Sequence, residues 1–89
     1  MPYLLVKQKV KDFDNWYAVF KSEAKLQKEA GLHDLMLLRD IDDANLILCL
    51  FKADSLERAK AYTNSQNYAM SLKLLEETFM PEIIFLDKA

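Results

Sequence analysis

The spacing of apolar residues along the chain predicts strands and helices in alternation. Residues of like polarity recur at every second position over Tyr3–Val10, which indicates a strand whose apolar face also carries Gln8. A helical repeat follows, and it predicts one long helix with its N-cap at Asp14 and its end at Ala30. Gly31 stands next, where a helix C-cap requires a left-handed residue. The first third of the chain is therefore predicted to be a strand followed by a helix.

The remainder of the chain continues this alternation. The polar sequence IDDAN between two apolar segments predicts the turn of a β-hairpin. The elements predicted after Gly31 are two strands, a helix, a further helical stretch and a last strand, namely Leu32–Asp40, Asn45–Ala53, Asp54–Asn64, Tyr68–Thr78 and Glu82–Asp87. The order β-α-β-β-α-β predicts the α+β class and a ferredoxin-like fold, with a four-stranded antiparallel sheet and helices on one face. We expect a single domain over residues 1–89.

The predicted strands are apolar on both faces, although the helices can cover only one of them. The segments LMLL, LILCLF and IIFL, at Leu35–Leu38, Leu46–Phe51 and Ile83–Leu86, lack the polar alternation of a half-solvated sheet. Apolar patches of that size are rare on the surface of monomers. We therefore expect a homodimer in which the open sheet faces of two copies pack together. The alternative is a monomer with an exposed apolar face.

The first predicted helix places two polar residues on its apolar side. At roughly 100° per residue, Trp16 and Phe20 lie on a broad apolar arc, and Glu23 and Gln27 fall near its middle. These two polar residues should point at the sheet face that carries Gln8. Because buried polar groups need partners, this arrangement predicts a polar-lined cavity. Alternatively, Glu23 and Gln27 bond to each other or to water near the end of the helix.

The composition excludes several kinds of chemistry and partner. A single glycine excludes Gly-rich phosphate loops, and a single cysteine, Cys49, excludes an intrachain disulfide and a Cys-based zinc site. With only one histidine as well, we expect no metal and no cofactor. The net charge of −2 argues against nucleic acid as a partner. No apolar run approaches the ~20 residues that span a membrane. The first ten residues do not resemble a signal peptide, and the lone cysteine suggests the cytoplasm.

Four further side chains are candidates for catalysis or ligand binding. His33 can act as a general base, and it is expected to share a strand face with Leu35, Leu37 and Arg39; alternatively, it is a half-exposed residue at the end of a strand. Arg39 can hold an anionic group or pair with a neighbouring aspartate. Tyr62 and Tyr68 flank a polar break between helices, where they can orient a ligand oxygen or pack in the core.

Three segments of the sequence are similar to one known family. They are VKDFDNWYAVF, the long helix that ends at Gly31, and LLRDIDDANLILCLFKADSLERAKAY. Together they resemble the antibiotic biosynthesis monooxygenase-like family of the dimeric α+β barrel superfamily. The resemblance implies that the sheets of two subunits face each other, and that each subunit holds a ligand cavity between sheet and helices. Members of the family include cofactor-independent oxygenases of aromatic polyketides, quinol oxygenases and haem-degrading enzymes.

Two functions follow from the residues and the resemblance. The first is a cofactor-independent, monooxygenase-like activity on a small hydrophobic, aromatic and hydroxylated compound, with Glu23 or His33 as the base. The second is a non-catalytic dimeric module that binds a small ligand or serves a structural role. For the ligand, the predicted binding residues are Gln8, Trp16, Phe20, Gln27, Arg39, Tyr62 and Tyr68.

Overall fold

The computed structural model describes residues 2–66, residue 68 and residues 81–89. This part of the chain contains four strands and three helices. In chain order they are β1 (Tyr3–Lys9), α1 (Phe13–Ser22), α2 (Ala24–Glu29), β2 (Leu32–Arg39), β3 (Leu46–Ala53), α3 (Leu56–Thr63) and β4 (Glu82–Leu86). The predicted helical stretch Tyr68–Thr78 lies outside the described residues, apart from Tyr68 itself. The predicted strands and the other predicted helices are present, with boundaries that differ by one or two residues except in the first helix.

The four strands form one sheet in the order β2-β3-β1-β4, and every neighbouring pair is antiparallel. β1 lies between β3 and β4, with Val6 opposite Cys49 on one side and Ile83 on the other. The hairpin partner β2 occupies one edge and the last strand the other. This is the ferredoxin-like arrangement that the sequence predicts.

The helices cover one face of the sheet, which we call the inner face. Burial alternates along β3, where every second residue from Ile47 to Ala53 is buried. Leu4 and Val6 of β1 and Trp16 of α1 belong to the same buried cluster. Full burial of a large apolar side chain contributes about 1.5–3 kcal/mol. The core of the domain therefore lies between this face and the helices.

The opposite, outer face of the sheet is also apolar. Met36 and Leu38 of β2 lie opposite Leu50 and Leu48 of β3, and Met36 is 50% exposed. Ile84 of β4 extends the same surface at the other edge. The prediction that the segments LMLL, LILCLF and IIFL are apolar on both faces of the sheet is confirmed. None of the described helices is long and apolar enough to span a membrane.

The first helix differs from the prediction at its start and in its middle. Asp12 is the N-cap instead of Asp14, since the Asp12 carboxylate accepts a hydrogen bond from the Asp14 N–H. The helix is interrupted at Glu23, whose N–H donates to the Phe20 carbonyl three residues earlier at 3.2 Å. The single predicted helix is therefore two helices, α1 and α2, with Glu23 at their junction.

The chain leaves α2 at Gly31, as predicted, with φ at +82°. A Cβ at this position would lie 3.0 Å from the side chains of both Arg58 and Asp54, so the close approach also favours glycine. Helix α3 begins two residues after the predicted start at Asp54, because its N-cap is Ser55, whose hydroxyl accepts a hydrogen bond from the Arg58 N–H. Gly31, Asp54 and Arg58 therefore lie together where α2 ends and α3 begins.

A β-bulge in β2 changes which residues share a face. The register shifts between Asp34 and Met36, so that Leu35 is an additional residue in the strand. His33 lies opposite Lys52 and therefore belongs to the outer side, whereas Leu37 lies opposite the buried Cys49. The predicted common face for His33, Leu37 and Arg39 is therefore wrong, because that prediction assumed an uninterrupted strand.

Candidate functional site

A small cavity lies between the inner face of the sheet and the helices, with a volume of about 50 Å³. Its walls come from β1, β3 and all three described helices. Most of this lining is apolar or aromatic. The described side chains that bring polar groups to it are Gln8, Glu23, Gln27, Tyr62, Thr63 and Tyr68. The structure therefore brings together the three polar residues that the helical and strand periodicities predict to converge, with two tyrosines beside them.

Gln8 is a polar residue in the middle of the apolar inner face. Its side chain is only 5% exposed, and its Nε2 has no hydrogen-bond partner among the described residues. The Tyr68 hydroxyl is likewise buried without a partner in the described part of the chain. A buried polar group without a partner costs about 1–3 kcal/mol. Two such groups in one cavity indicate a place where a polar atom of a bound molecule would be accepted.

The Tyr62 hydroxyl joins the two polar residues of the first helical segment. It interacts with the side chains of Gln27 and Glu23, and Gln27 is itself buried. Burial raises the pKa of Tyr62 to about 12; the Gln27 amide opposes this rise, and the Glu23 carboxyl group adds to it. Tyr62 is therefore a neutral hydroxyl at physiological pH, held in place between an amide and a carboxyl group.

The Cys49 thiol and the Tyr68 hydroxyl, which also line the cavity, are neutral near pH 7. Burial raises the pKa of the Cys49 thiol to about 12, and the charge of Asp34 adds to the rise. Burial likewise raises the pKa of Tyr68, with smaller contributions from Tyr62, Cys49 and Glu23. Among the described lining residues, Glu23 provides the only carboxyl group. It is consequently the residue best suited to exchange a proton with a molecule in the cavity.

Aromatic rings line one side of the cavity. The rings of Trp16 and Phe20 are stacked with centroids 4.9 Å apart, and Phe20 meets Phe51 at 6.2 Å. Such a wall suits an aromatic ring. The volume, however, accommodates only a few water molecules, whereas ligand pockets typically measure roughly 300–1,000 Å³. A ring can enter only if side chains of the wall move aside.

His33 and Arg39 lie outside this cavity. His33 is exposed, and its Nε2 lies 2.9 Å from Asp54 Oδ1, where Asp54 also pairs with Arg58. Arg39 donates from Nε to the Ala44 carbonyl at 3.1 Å. The structure thus separates these two predicted site residues from the other seven.

Arg39 also differs from its predicted alternative of an ion pair with a nearby aspartate. Its guanidinium lies 3.8 Å from the centroid of the Phe13 ring. Among the described residues, Asp43 pairs instead with Lys9 at 3.2 Å, and a backbone hydrogen bond from Asn45 together with Lys9 lowers the pKa of Asp43. Arg39 therefore helps to hold the start of α1 against the β2–β3 turn.

Among the lining side chains that carry a polar or reactive group, sequence reasoning missed two, Cys49 and Thr63. Cys49 is a buried thiol, and its alternation with Ile47 and Phe51 in LILCLF is the signal that it faces the same side of the sheet. The Thr63 hydroxyl donates to the Lys60 carbonyl within α3, and nothing in the sequence indicated its position. Within the described residues, no three His, Cys, Asp or Glu side chains are grouped closely enough to hold a metal ion.

No protein-family model and no curated protein matches the sequence. Solved structures match the fold over nearly its whole length. A candidate antibiotic biosynthesis monooxygenase of Bordetella bronchiseptica is 16% identical, with a TM-score of 0.81, over 99% of this chain and 96% of that chain. A corresponding Caulobacter crescentus structure is 18% identical, with a TM-score of 0.77, over 99% and 89%.

A third structure is a variant of SnoaB, a cofactor-independent oxygenase of Streptomyces nogalater. It is 13% identical, with a TM-score of 0.76, over 98% of this chain and 91% of that chain. At these identities the similarity is one of fold. The protein therefore has the fold of the antibiotic biosynthesis monooxygenase structures, as the resemblance in sequence implies.

Proposed function

We propose that the protein is a cofactor-independent, monooxygenase-like enzyme that acts on a small hydrophobic, hydroxylated aromatic compound. The observation that carries this proposal is the pair of buried polar atoms, Gln8 Nε2 and Tyr68 Oη, that face a largely apolar cavity without partners among the described residues. An oxygen atom of the ligand would accept a hydrogen bond from the Gln8 amide. The stacked wall of Trp16 and Phe20 would hold the ring.

The chemistry would proceed through a deprotonated ligand. Glu23 accepts a proton from the hydroxylated ring system, and the Gln8 amide and the Tyr68 hydroxyl stabilise the negative charge on the ligand oxygen. The resulting electron-rich carbon reacts with molecular oxygen and forms a new C–O bond. For an activated CH₂ group, one oxygen atom remains on carbon as C=O and the other leaves as water with both hydrogens. The apolar lining keeps bulk water away from the anion.

The same proposal includes a homodimer formed through the outer face, in the cytoplasm. The support is the apolar surface of Met36, Leu38, Ile84 and the leucines beside them, which the described helices leave uncovered. A second copy offers the same surface, so two sheets can pack face to face in an isologous interface.

Oxygenation of anthrone under ¹⁸O₂ tests the enzymatic function. We expect one ¹⁸O atom per anthraquinone formed, and a decrease in kcat of roughly 100-fold or more in Glu23→Gln, since general-base catalysis contributes about 10²–10⁴-fold. Glu29→Gln is the matched control, because Glu29 lies exposed at the end of α2 outside the cavity lining. Equal turnover by wild type and Glu23→Gln would exclude Glu23 as the base.

The alternative function is a non-catalytic binding module, and the small cavity volume favours it. A module of this kind binds a ligand or keeps the cavity closed, but it does not consume oxygen. Calorimetric binding of anthrone without any ¹⁸O incorporation would support this alternative over the enzymatic one.

A further inference from the structure

A second and larger recess lies on the outside of the first helical segment. It is a solvent-open cleft of about 580 Å³ between α1 and α2 on one side and the edge strand β2 on the other. Tyr17 and Phe20 line it from α1, and Leu32 and Leu37 from β2. Its volume falls within the range of roughly 300–1,000 Å³ that is typical of small-molecule sites. The cleft is therefore large enough for an aromatic molecule that the inner cavity cannot hold.

The cleft and the inner cavity share a wall. Phe20 and Gln27 line both spaces, while Glu23 lines only the cavity. The helix is interrupted at Glu23, between these two residues. Two side chains therefore separate the unpartnered amide of Gln8 from a solvent-open cleft. Phe20 and Gln27 are therefore the side chains whose displacement we expect to connect the two spaces.

The charges at the two ends of this combined space differ. Lys21 and Lys28 line the cleft, opposed by the carboxylate of Asp34. His33 is also part of the cleft, and its ring is engaged by Asp54 at 2.9 Å. The described lining of the inner cavity, in contrast, contains no basic side chain. The outer end favours an anionic group, and the inner end favours a neutral one that can accept a hydrogen bond.

We propose that the cleft is the outer half of the ligand site, and that the ligand is a hydroxylated aromatic acid. Its hydroxylated ring end passes between Phe20 and Gln27 to reach Gln8, and its carboxylate remains outside, near Lys21 and Lys28. This inference rests on the proposed function for the inner end of the site. It adds the substrate class, the path of entry and the residues that select for the acid.

Calorimetry with two matched probes tests the proposal, using the full chain. The probes are 2-naphthol and 6-hydroxy-2-naphthoate, which differ by one carboxylate. We expect the acid to bind at least about fivefold more tightly at low ionic strength, and the difference to shrink when salt is added. In the double variant Lys21→Gln/Lys28→Gln, the acid should bind no better than the naphthol, whose own affinity should not change.

Lys25→Gln is the matched control, because Lys25 is exposed on α2 and is not among the described residues that line the cleft. Phe20→Ala tests the path of entry, with Leu26→Ala as its control, since Leu26 lies on α2 and lines neither the cavity nor the cleft. We expect Phe20→Ala to raise the association rate of the acid at least threefold in NMR line-shape analysis, and Leu26→Ala to leave it unchanged.

The outcomes separate this inference from the proposed function. Lysine-dependent binding of the acid without ¹⁸O incorporation from anthrone supports the cleft and overturns the oxygenase. The proposed role of the cleft is wrong if the two probes bind with equal affinity, or if Lys25→Gln weakens binding of the acid as much as the double lysine variant does. Either result leaves the proposed oxygenase function unaffected. If neither probe binds at millimolar concentration, the cleft is not a site for aromatic acids.

Discussion

The two faces of the sheet have similar composition but different surroundings. Ile47 and Leu48 are neighbours in β3, yet Ile47 is 0% exposed on the inner face while Leu48 is half-buried on the outer one. The described helices account for this difference, because they lie against the inner face and not against the outer one. The apolar pattern of the strands therefore predicts that both faces must be covered. The positions of the helices determine which of the two faces is covered within one chain.

The faces also differ in where their polar residues lie. On β1, Lys7 and Lys9 belong to the outer side and can extend their charges to solvent, as is normal. Gln8, between them, is buried on the inner side. A polar residue on the covered face costs stability, and it therefore marks the site more clearly than any residue on the open face.

The largest expected effect comes from truncating, one at a time, two adjacent residues of β3 whose side chains lie on opposite faces of the sheet. Ile47→Ala should lower the free energy of unfolding by about 3 kcal/mol, because it leaves a void in the core. Leu48→Ala should cost less than half as much at low protein concentration, and more as concentration rises and a second copy covers Leu48. Urea unfolding followed by circular dichroism measures both. If both variants lose the same free energy of unfolding at every protein concentration, the two faces of the sheet are equally buried.

A charge on the outer face should affect assembly more than folding. Leu50→Glu places a charge on the apolar outer face, and we expect dimer affinity to fall by about 100-fold, because a face-to-face dimer would bury this charge without a partner. Sedimentation should give twice the chain mass for wild type and the chain mass for the variant. Ala18→Glu, on the exposed side of α1, is the control for added charge. A monomeric wild type would contradict the proposed interface.

On the inner face, removal of a polar group should stabilise the protein. Gln8→Met keeps the length of the side chain and removes the unpartnered amide, so we expect the free energy of unfolding to rise by about 1 kcal/mol. Gln27→Met should have the opposite sign, because it removes the buried amide that interacts with the Tyr62 hydroxyl. A loss of stability in Gln8→Met would indicate that the amide already has a partner.

The smallest effect is a dependence of stability on alkaline pH. The pKa of Cys49 is raised from about 9 to about 12 in the folded protein, and that of Tyr62 from about 10 to about 12. Stability should therefore be constant below about pH 9 and decrease as the pH rises towards 12, by less than about 1 kcal/mol at pH 9.5. Urea midpoints at stepped pH measure this, and Cys49→Ala should move the onset towards pH 10. A flat profile up to pH 11 would contradict the burial of these groups.

The convergence of Gln8, Glu23 and Gln27 was predictable because it depends on local periodicity. The strand period fixes the face of Gln8, and the helical period places Glu23 and Gln27 on the side of Trp16. The contact between Gln27 and Tyr62 was not predictable, since it joins two helices that are distant in the sequence. Local patterns thus give the direction of a side chain but not its partner.

Two elements were predicted wrongly, the first helix and β2. In neither does the local sequence indicate the irregularity that the structure shows. Glu23 and Ala24 both favour helix, so propensity argues against the interruption that the structure places there. Leu35 is an apolar residue within an apolar run, and nothing in the run indicates that it is the extra residue of a bulge. One added residue reverses the faces of a strand, and this is why His33 was assigned to the wrong side.

The stacked pair of Trp16 and Phe20 also gives the protein an intrinsic fluorescent probe of its cavity. Trp16 is the only tryptophan in the sequence, so all indole fluorescence comes from the wall of the cavity. Phe20, which covers it at 4.9 Å, also separates it from the cleft. A molecule that enters will therefore change the emission wavelength or its quenching by acrylamide. The unlabelled chain thus carries its own optical sensor of occupancy.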